Sequence, residues 1–242
     1  MATRKKPAKK AKKTKKTSSF KKAFKIFSYI ILGLFLSTIL LTLAYKWINP
    51  PVTYLMVKRK IEKKYPINKE WISIEKLPAH TYNSAIASED ANFMKHNGFD
   101  FKSIERARKH NEKSKRKRGA STISQQVAKN VFLWPARSWV RKGLEVYFTG
   151  LIELFWSKQR IMEVYLNVAE MGKGIYGIQA ASKHYFKKDA SKLTPQQSAL
   201  IIACLPSPLK SNPAKPSSYL ISRQDFIMRN MNSIQRLKVG KK

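Results

Sequence analysis

Acidic residues are the scarce class in this chain. Its 242 residues include 14 Asp and Glu against 49 Lys and Arg, a formal net charge of +35. A surplus that large calls for an anionic partner. Nucleic acid, an anionic membrane face and a phosphorylated substrate all qualify. Cysteine is nearly absent as well. Cys204 is the single example, so no intramolecular disulfide can form. It sits in the apolar run Ala199-Leu200-Ile201-Ile202-Ala203-Cys204-Leu205, which points to a packed core thiol rather than a nucleophile. Also missing are a glycine-rich nucleotide loop, zinc-ligand spacing, an HEXXH helix and sustained alternation of apolar and polar residues. What remains is a mainly α-helical chain long enough for one domain and an anchor.

The chain has one long hydrophobic run. Residues 1–25 hold Arg4 and eleven lysines with no acid, and such a segment cannot bury a core. Ile26 to Tyr45 then gives twenty residues without a charge. As a helix it would span roughly 30 Å, the thickness of a bilayer's hydrocarbon core. Ala44-Tyr45-Lys46-Trp47 is a poor small-residue cleavage site, which favours a retained anchor over a signal peptide. The basic flank precedes the span, so the N-terminus is expected in the cytoplasm and the rest outside the inner (plasma) membrane. That leaves +23 on the exported part, where nucleic acid is not a partner. The expected organisation is a basic cytoplasmic tail 1–25, a transmembrane helix 26–45, a linker 46–69, a main domain 70–220 and a C-terminal segment 221–242.

Local signals place further elements. Val52 to Tyr65 reads as a short helix stopped by Pro66, and Thr81 to Met94 as a helix turning Ala85, Ile86 and Phe93 inward. Glu89 then falls near a helix C-terminus, where the negative end of the dipole makes a carboxylate a better proton acceptor. Lys102 to Arg118 is basic and poor in apolar residues, and reads as a mobile loop. Thr122 and Gln125 have capping-box spacing, and the amides of that helix start suit an anion. Ser138 to Trp156 reads as a long helix with Arg141, Lys142 and Glu145 near its start. Cations there oppose the helix dipole, so they serve something other than helix stability. Val131-Phe132-Leu133-Trp134 and Trp139 lie beside these cations; by themselves they read as core, and a substrate with a lipid tail would make them a contact with the membrane surface.

Chemistry concentrates in three stretches. Ser88 to Asp100 carries two adjacent carboxylates and an imidazole, Gly119 to Asn130 is rich in hydroxyls and amides, and Arg141 to Glu145 sets a carboxylate beside two cations. As one site they offer a carboxylate to take a proton, a polar wall for a sugar and cations for a charged leaving group.

These blocks, with Lys158 to Asn167 and Gly174 to Phe186 after them, resemble the glycosyltransferase domain of bacterial peptidoglycan polymerases. The likeness covers roughly residues 70 to 220, and the short chain fits the monofunctional biosynthetic transglycosylase form. Ala120 and Ser124 depart from the family pattern, which has glycine and threonine there. The resemblance implies a mainly α, lysozyme-like, two-lobed domain behind one transmembrane helix. It implies inverting polymerisation of lipid II into β-1,4 glycan strands with release of undecaprenyl diphosphate. Glu89 matches the family's base and Glu145 its second glutamate, on the leaving-group side. Lys129, Arg137, Arg141 and Lys142 match the cations for diphosphate. Asp90, Phe93, His96, Ser121, Gln125 and Gln126 match positions that shape the sugar cleft, while Lys158, Tyr165 and Asn167 read mainly as scaffold. No metal ligands or certain cofactor follow, although Mg2+ or Mn2+ at the diphosphate remains open. Expected partners are lipid II, the lipid-linked glycan chain and the membrane, with other cell-wall synthesis and division proteins also compatible. A lysozyme-like wall-cleaving enzyme and a non-catalytic membrane scaffold stay open as alternatives.

Overall fold

The computed structural model describes residues 16–115, 117–136 and 138–240, and the chain divides between residues 43 and 44 into two compact units. The first consists of most of helix α1 (Lys16–Trp47). Within α1, an 18-residue window of Phe20–Trp47 reaches mean hydropathy 2.3, and among the described residues this is the helix long and apolar enough to cross a membrane. The expected tail up to residue 15 lies outside the described residues.

The second unit is mostly helical. Its helices are α2 (Tyr54–Lys63), α3 (Ala79–Glu89), α4 (Phe101–Lys113), α5 (Ile123–Phe132), α6 (Trp139–Phe155), α7 (Lys158–Val168), α8 (Ile178–Phe186), α9 (Pro195–Ala203) and α10 (Ser218–Asn230). Side chains that accept from the first free amides start most of them: Thr53, Asp100, Thr122, Ser138, Ser157, Thr194 and Ser217. Sequence alone offered no strand, yet three short ones form a small sheet in the order β1 (Asn68–Lys69), β3 (Ile175–Tyr176), β2 (Glu170–Gly172). β1 runs parallel to β3 and β2 antiparallel to it. Strands of two or three residues leave no alternation to detect.

Helix α7 is the centre of the core, with every residue from Arg160 to Val168 buried. A helix buried all round must satisfy its polar groups inside the protein. Asn167 accepts from the Ile72 amide at 2.8 Å and donates to the Ile72 carbonyl at 2.9 Å. Arg160 pairs with Glu163 at 2.7 Å and donates to the carbonyls of Tyr45 and Ile48. It thereby ties the last turn of α1 to the core. Cys204 is buried, and burial pushes its thiol up to about 12, as befits a core cysteine.

Four expectations need correction. Residues 102–113 of the expected loop are helical. Asp100 caps α4 by accepting from the Ser103 amide at 2.9 Å, and Arg108 pairs with Glu105 and Glu112 one turn to either side. The helix from Thr81 stops at Glu89, and Phe93 reaches the core through a turn closed by its amide on the Asp90 carbonyl. The boundary expected at 220 falls inside α10, which packs on α3 and α9 and buries Leu220 and Ile227. The apolar run after Lys129 is divided. Phe132 stacks on Phe148 with ring centroids 4.5 Å apart and Leu133 is buried, whereas Trp134 and Trp139 are exposed.

Candidate active site

Glu89 is the last residue of α3, partly exposed, with both carboxylate oxygens held from the protein side. Ser88 Oγ donates to Oε1 at 3.1 Å, and Gln126 Nε2 donates to Oε2 at 3.1 Å. Arg223, from α10, donates in turn to Ser88 Oγ at 3.0 Å. Tyr165 lies behind Gln126. Burial and the charges of Glu89 and Asp90 push its phenol well above the ordinary range, so it stays neutral. The carboxylate is thus fixed in orientation while one side stays open.

The neighbouring carboxylate does different work. Asp90 is buried, accepts from His96 Nε2 at 2.9 Å and accepts from the Ile123 amide at 3.0 Å. The anion expected at the start of α5 is therefore Asp90 itself, since an internal carboxylate satisfies the free amide and the positive end of the dipole. Gln125 completes the capping box through its side-chain oxygen on the Thr122 amide at 3.0 Å. Thr122 Oγ1 donates to the carbonyl of Gly98 at 2.7 Å. Gly98 has φ +89°, and a Cβ there would lie 2.7 Å from Thr149 Cγ2 on α6. Only glycine lets the loop after Glu89 press this closely on α6. Lys158 closes the far side, donating to the His96 carbonyl at 2.7 Å and pairing with Glu153 at 2.8 Å, its ammonium over the Phe93 ring.

The cations gather around the second glutamate. Glu145 is buried in the second turn of α6 and pairs with Arg141 Nη1 at 2.8 Å and with Lys142 Nζ. This offsets the cost of two cations in a first helical turn. Arg141 Nε is a buried donor without a partner among the described residues. Lys129 is half-buried on α5 and within electrostatic reach of Glu145, Arg141, Lys142 and Glu89. Burial pushes its ammonium below the usual lysine range, an effect Arg141 and Lys142 reinforce and the two glutamates oppose.

The expected residues sort accordingly. Glu89, Gln126, Lys129, Arg141, Lys142 and Glu145 come together. Asp90, Phe93, His96 and Gln125 have buried side chains in the wall behind Glu89. Ser121 is exposed one residue before the cap. Arg137 lies outside the described residues. Ser88 and Arg223 were missed, because nothing in the spacing joins residues 135 positions apart. A divalent cation fits poorly on protein ligands alone. Both oxygens of Glu145 are taken by cations, and no cluster of three His, Cys, Asp or Glu occurs among the described residues.

An oriented carboxylate with one open side, beside a group of cations on a mostly helical frame, can take up a proton and hold negative charge nearby. Comparison with known proteins gives the family. Residues 57–232 match the family described as Transglycosylase. A biosynthetic peptidoglycan transglycosylase of Bacteroides thetaiotaomicron is 55% identical over 221 residues, covering 89% of this chain and 89% of the relative. Proteins of the same description from Bdellovibrio bacteriovorus and Pseudomonas putida are 49% and 48% identical, covering 82% and 81% of this chain and 81% and 86% of the relatives. The chain belongs to the transglycosylase family, whose domain is lysozyme-like.

Proposed function

We propose that this protein is a membrane-anchored peptidoglycan glycosyltransferase that polymerises lipid II into β-1,4 glycan strands. Glu89 accepts the proton of the acceptor's sugar 4-hydroxyl as that oxygen attacks the anomeric carbon of the lipid-linked donor. The carbon–oxygen bond to the diphosphate breaks from the opposite face, so one displacement converts an α-linked donor into a β-linked product. Undecaprenyl diphosphate leaves with the bonding electron pair. Lys129, Arg141 and Lys142 hold its charge, and Glu145 keeps the last two in place. A diphosphate already leaves well once its charge is held, so no strong general acid is required.

The observation that carries this reading is the placing of Lys129 within reach of both Glu89 and the Arg141–Lys142–Glu145 cluster. A lysozyme-like hydrolase acting on neutral glycan needs a second working carboxylate. Here the second one is occupied by two cations. Helix α1 serves as a single-pass anchor, the basic tail facing the cytoplasm and the glycosyltransferase domain facing outward. The test is incubation of the detergent-purified protein with labelled lipid II, with and without moenomycin, an inhibitor of this family. Glycan polymer and free undecaprenyl diphosphate are expected, and the inhibitor suppresses both. Shortening of preformed glycan with no product from lipid II would overturn the assignment.

A further inference from the structure

Helix α2 is built inside out. Its inner face is already used: Met56 is fully buried, and Arg59 donates from Nε and Nη2 to the two carboxylate oxygens of Glu170 at 3.0 and 3.3 Å. Its outer face should be polar. Instead Tyr54, Val57 and Ile61, spaced three and four residues apart, form an apolar stripe that is 59%, 42% and 73% exposed. Lysines flank the stripe. Lys58, paired with Glu62 at 3.4 Å, lies on one edge, and the exposed Lys60 and Lys64 on the other. Single exposed apolar residues need no explanation, but an aligned stripe on a helix whose other side is satisfied calls for a partner.

We propose that α2 lies flat on the membrane, its stripe in the headgroup region and its lysines on anionic headgroups. Chain continuity selects the bilayer as occupant. Six residues separate Trp47, the end of α1, from Tyr54. Fully extended they reach about 20 Å, so α2 cannot leave the neighbourhood of that end. Two of those six are exposed apolar side chains, Ile48 at 60% and Val52 at 49%, and Trp47 before them is 70% exposed. Tryptophan favours the interface, and an apolar stripe edged with lysines is the pattern of a helix lying in it. The second unit then has a membrane contact of its own, separate from the site cations. The proposal rests on the reading that α1 spans a bilayer.

The test uses the full chain with Ile61→Cys in a Cys204→Ala background, labelled with an environment-sensitive nitrobenzoxadiazole. The protein is reconstituted into vesicles of phosphatidylethanolamine and phosphatidylglycerol. Quenching by lipids carrying a nitroxide near the headgroup, with shielding from aqueous iodide, is the expected result. Adding Lys58→Glu, Lys60→Glu and Lys64→Glu should reduce the lipid quenching at least twofold, as should neutral phosphatidylcholine vesicles. A label open to iodide and untouched by the nitroxide lipids overturns the proposal. So does a label shielded from both, which would mean a second copy or another protein covers the stripe. Quenching indifferent to the three charge reversals overturns the role of the lysines. Carbonate-resistant co-flotation reports α1 independently. If the protein washes off, the anchor reading fails and the proposal with it; if it stays while the label is unquenched, the proposal alone fails.

Discussion

Glu89 and Asp90 are adjacent carboxylates with opposite roles, and their hydrogen bonds decide which does what. Asp90 accepts from an imidazole and a helix amide and is sealed in, whereas Glu89 accepts from Ser88 and Gln126 and keeps an open side. Glu89→Gln keeps the shape and removes the base. Its turnover of lipid II should fall by about 10² to 10⁴ while the circular dichroism spectrum is unchanged; near-wild-type turnover would remove Glu89 from the mechanism. Ser88→Ala loosens the carboxylate without removing it. One lost hydrogen bond is worth about 1 kcal/mol, so kcat should drop roughly fivefold with KM unaltered. Lys129 gives a pH signature. Its ammonium is held below the ordinary lysine range, and a bound diphosphate favours the charged form. Binding is therefore stronger at low pH and weakens as pH rises through the depressed value. In Lys129→Arg the charge persists, so the alkaline fall in kcat/KM should move to higher pH. An identical alkaline limb in the two proteins would contradict the diphosphate role.

At the scale of the element, α4 shows how few residues can hold a helix that buries nothing. Burial alone would push the Asp100 carboxyl up, but hydrogen bonds from Ser103 and Asn92 outweigh it and hold the group at about 2. A carboxylate depressed in the fold stabilises fully above its unfolded value near 4, and that stability is lost as pH falls toward 2. Asp100→Ala should cost about 1 kcal/mol, seen as faster amide exchange in residues 101–105 at neutral pH, with the difference from wild type shrinking toward pH 2. The start of α6 behaves differently, because Glu145 holds two cations against the dipole. Glu145→Ala leaves them facing each other and should lower stability by about 3 kcal/mol, so thermal melting must accompany any activity measurement. Phe132 stacks on Phe148 and belongs to the core, so Phe132→Ser is expected to destabilise the fold, whereas Trp139→Ser is expected to leave it intact.

At the scale of the whole molecule, charge and hydrophobicity are divided along the chain. Twelve cations precede the uncharged run from Ile26 to Tyr45, and a net +23 follows it. The contacts of the second unit begin at Ala44, and Arg160 needs the carbonyls of Tyr45 and Ile48. A protein lacking residues 1–43 should therefore fold, with a melting temperature within a few degrees of the full chain. Removing residues 1–48 should lower it further, because a buried guanidinium loses two acceptors. The shorter truncation should still bind anionic vesicles, and less so as salt rises. Salt-independent binding would mean that charge is not the attraction.

The sequence by itself determined what is encoded within a turn or two of chain. It marked the long apolar helix by twenty uncharged residues, the starts of α5 and α9 by Thr122 with Gln125 and Thr194 with Pro195, and the candidate site by its three dense stretches. Such signals are local, because a cap or a periodic face acts over three or four residues. Tertiary structure decided everything that depends on which segments meet. It put Asp90 on the amide of Ile123, closing an anion site that the helix start advertised. It brought Arg223 to Ser88 and Arg160 to Tyr45, over separations of 135 and 115 residues. It split Val131 to Trp134 between core and surface, and it turned the apolar stripe of α2 outward. The physical reason is common to all of these. A side chain's neighbours across the fold set whether it is buried, paired or left for a partner, and those neighbours exist only once distant segments have packed.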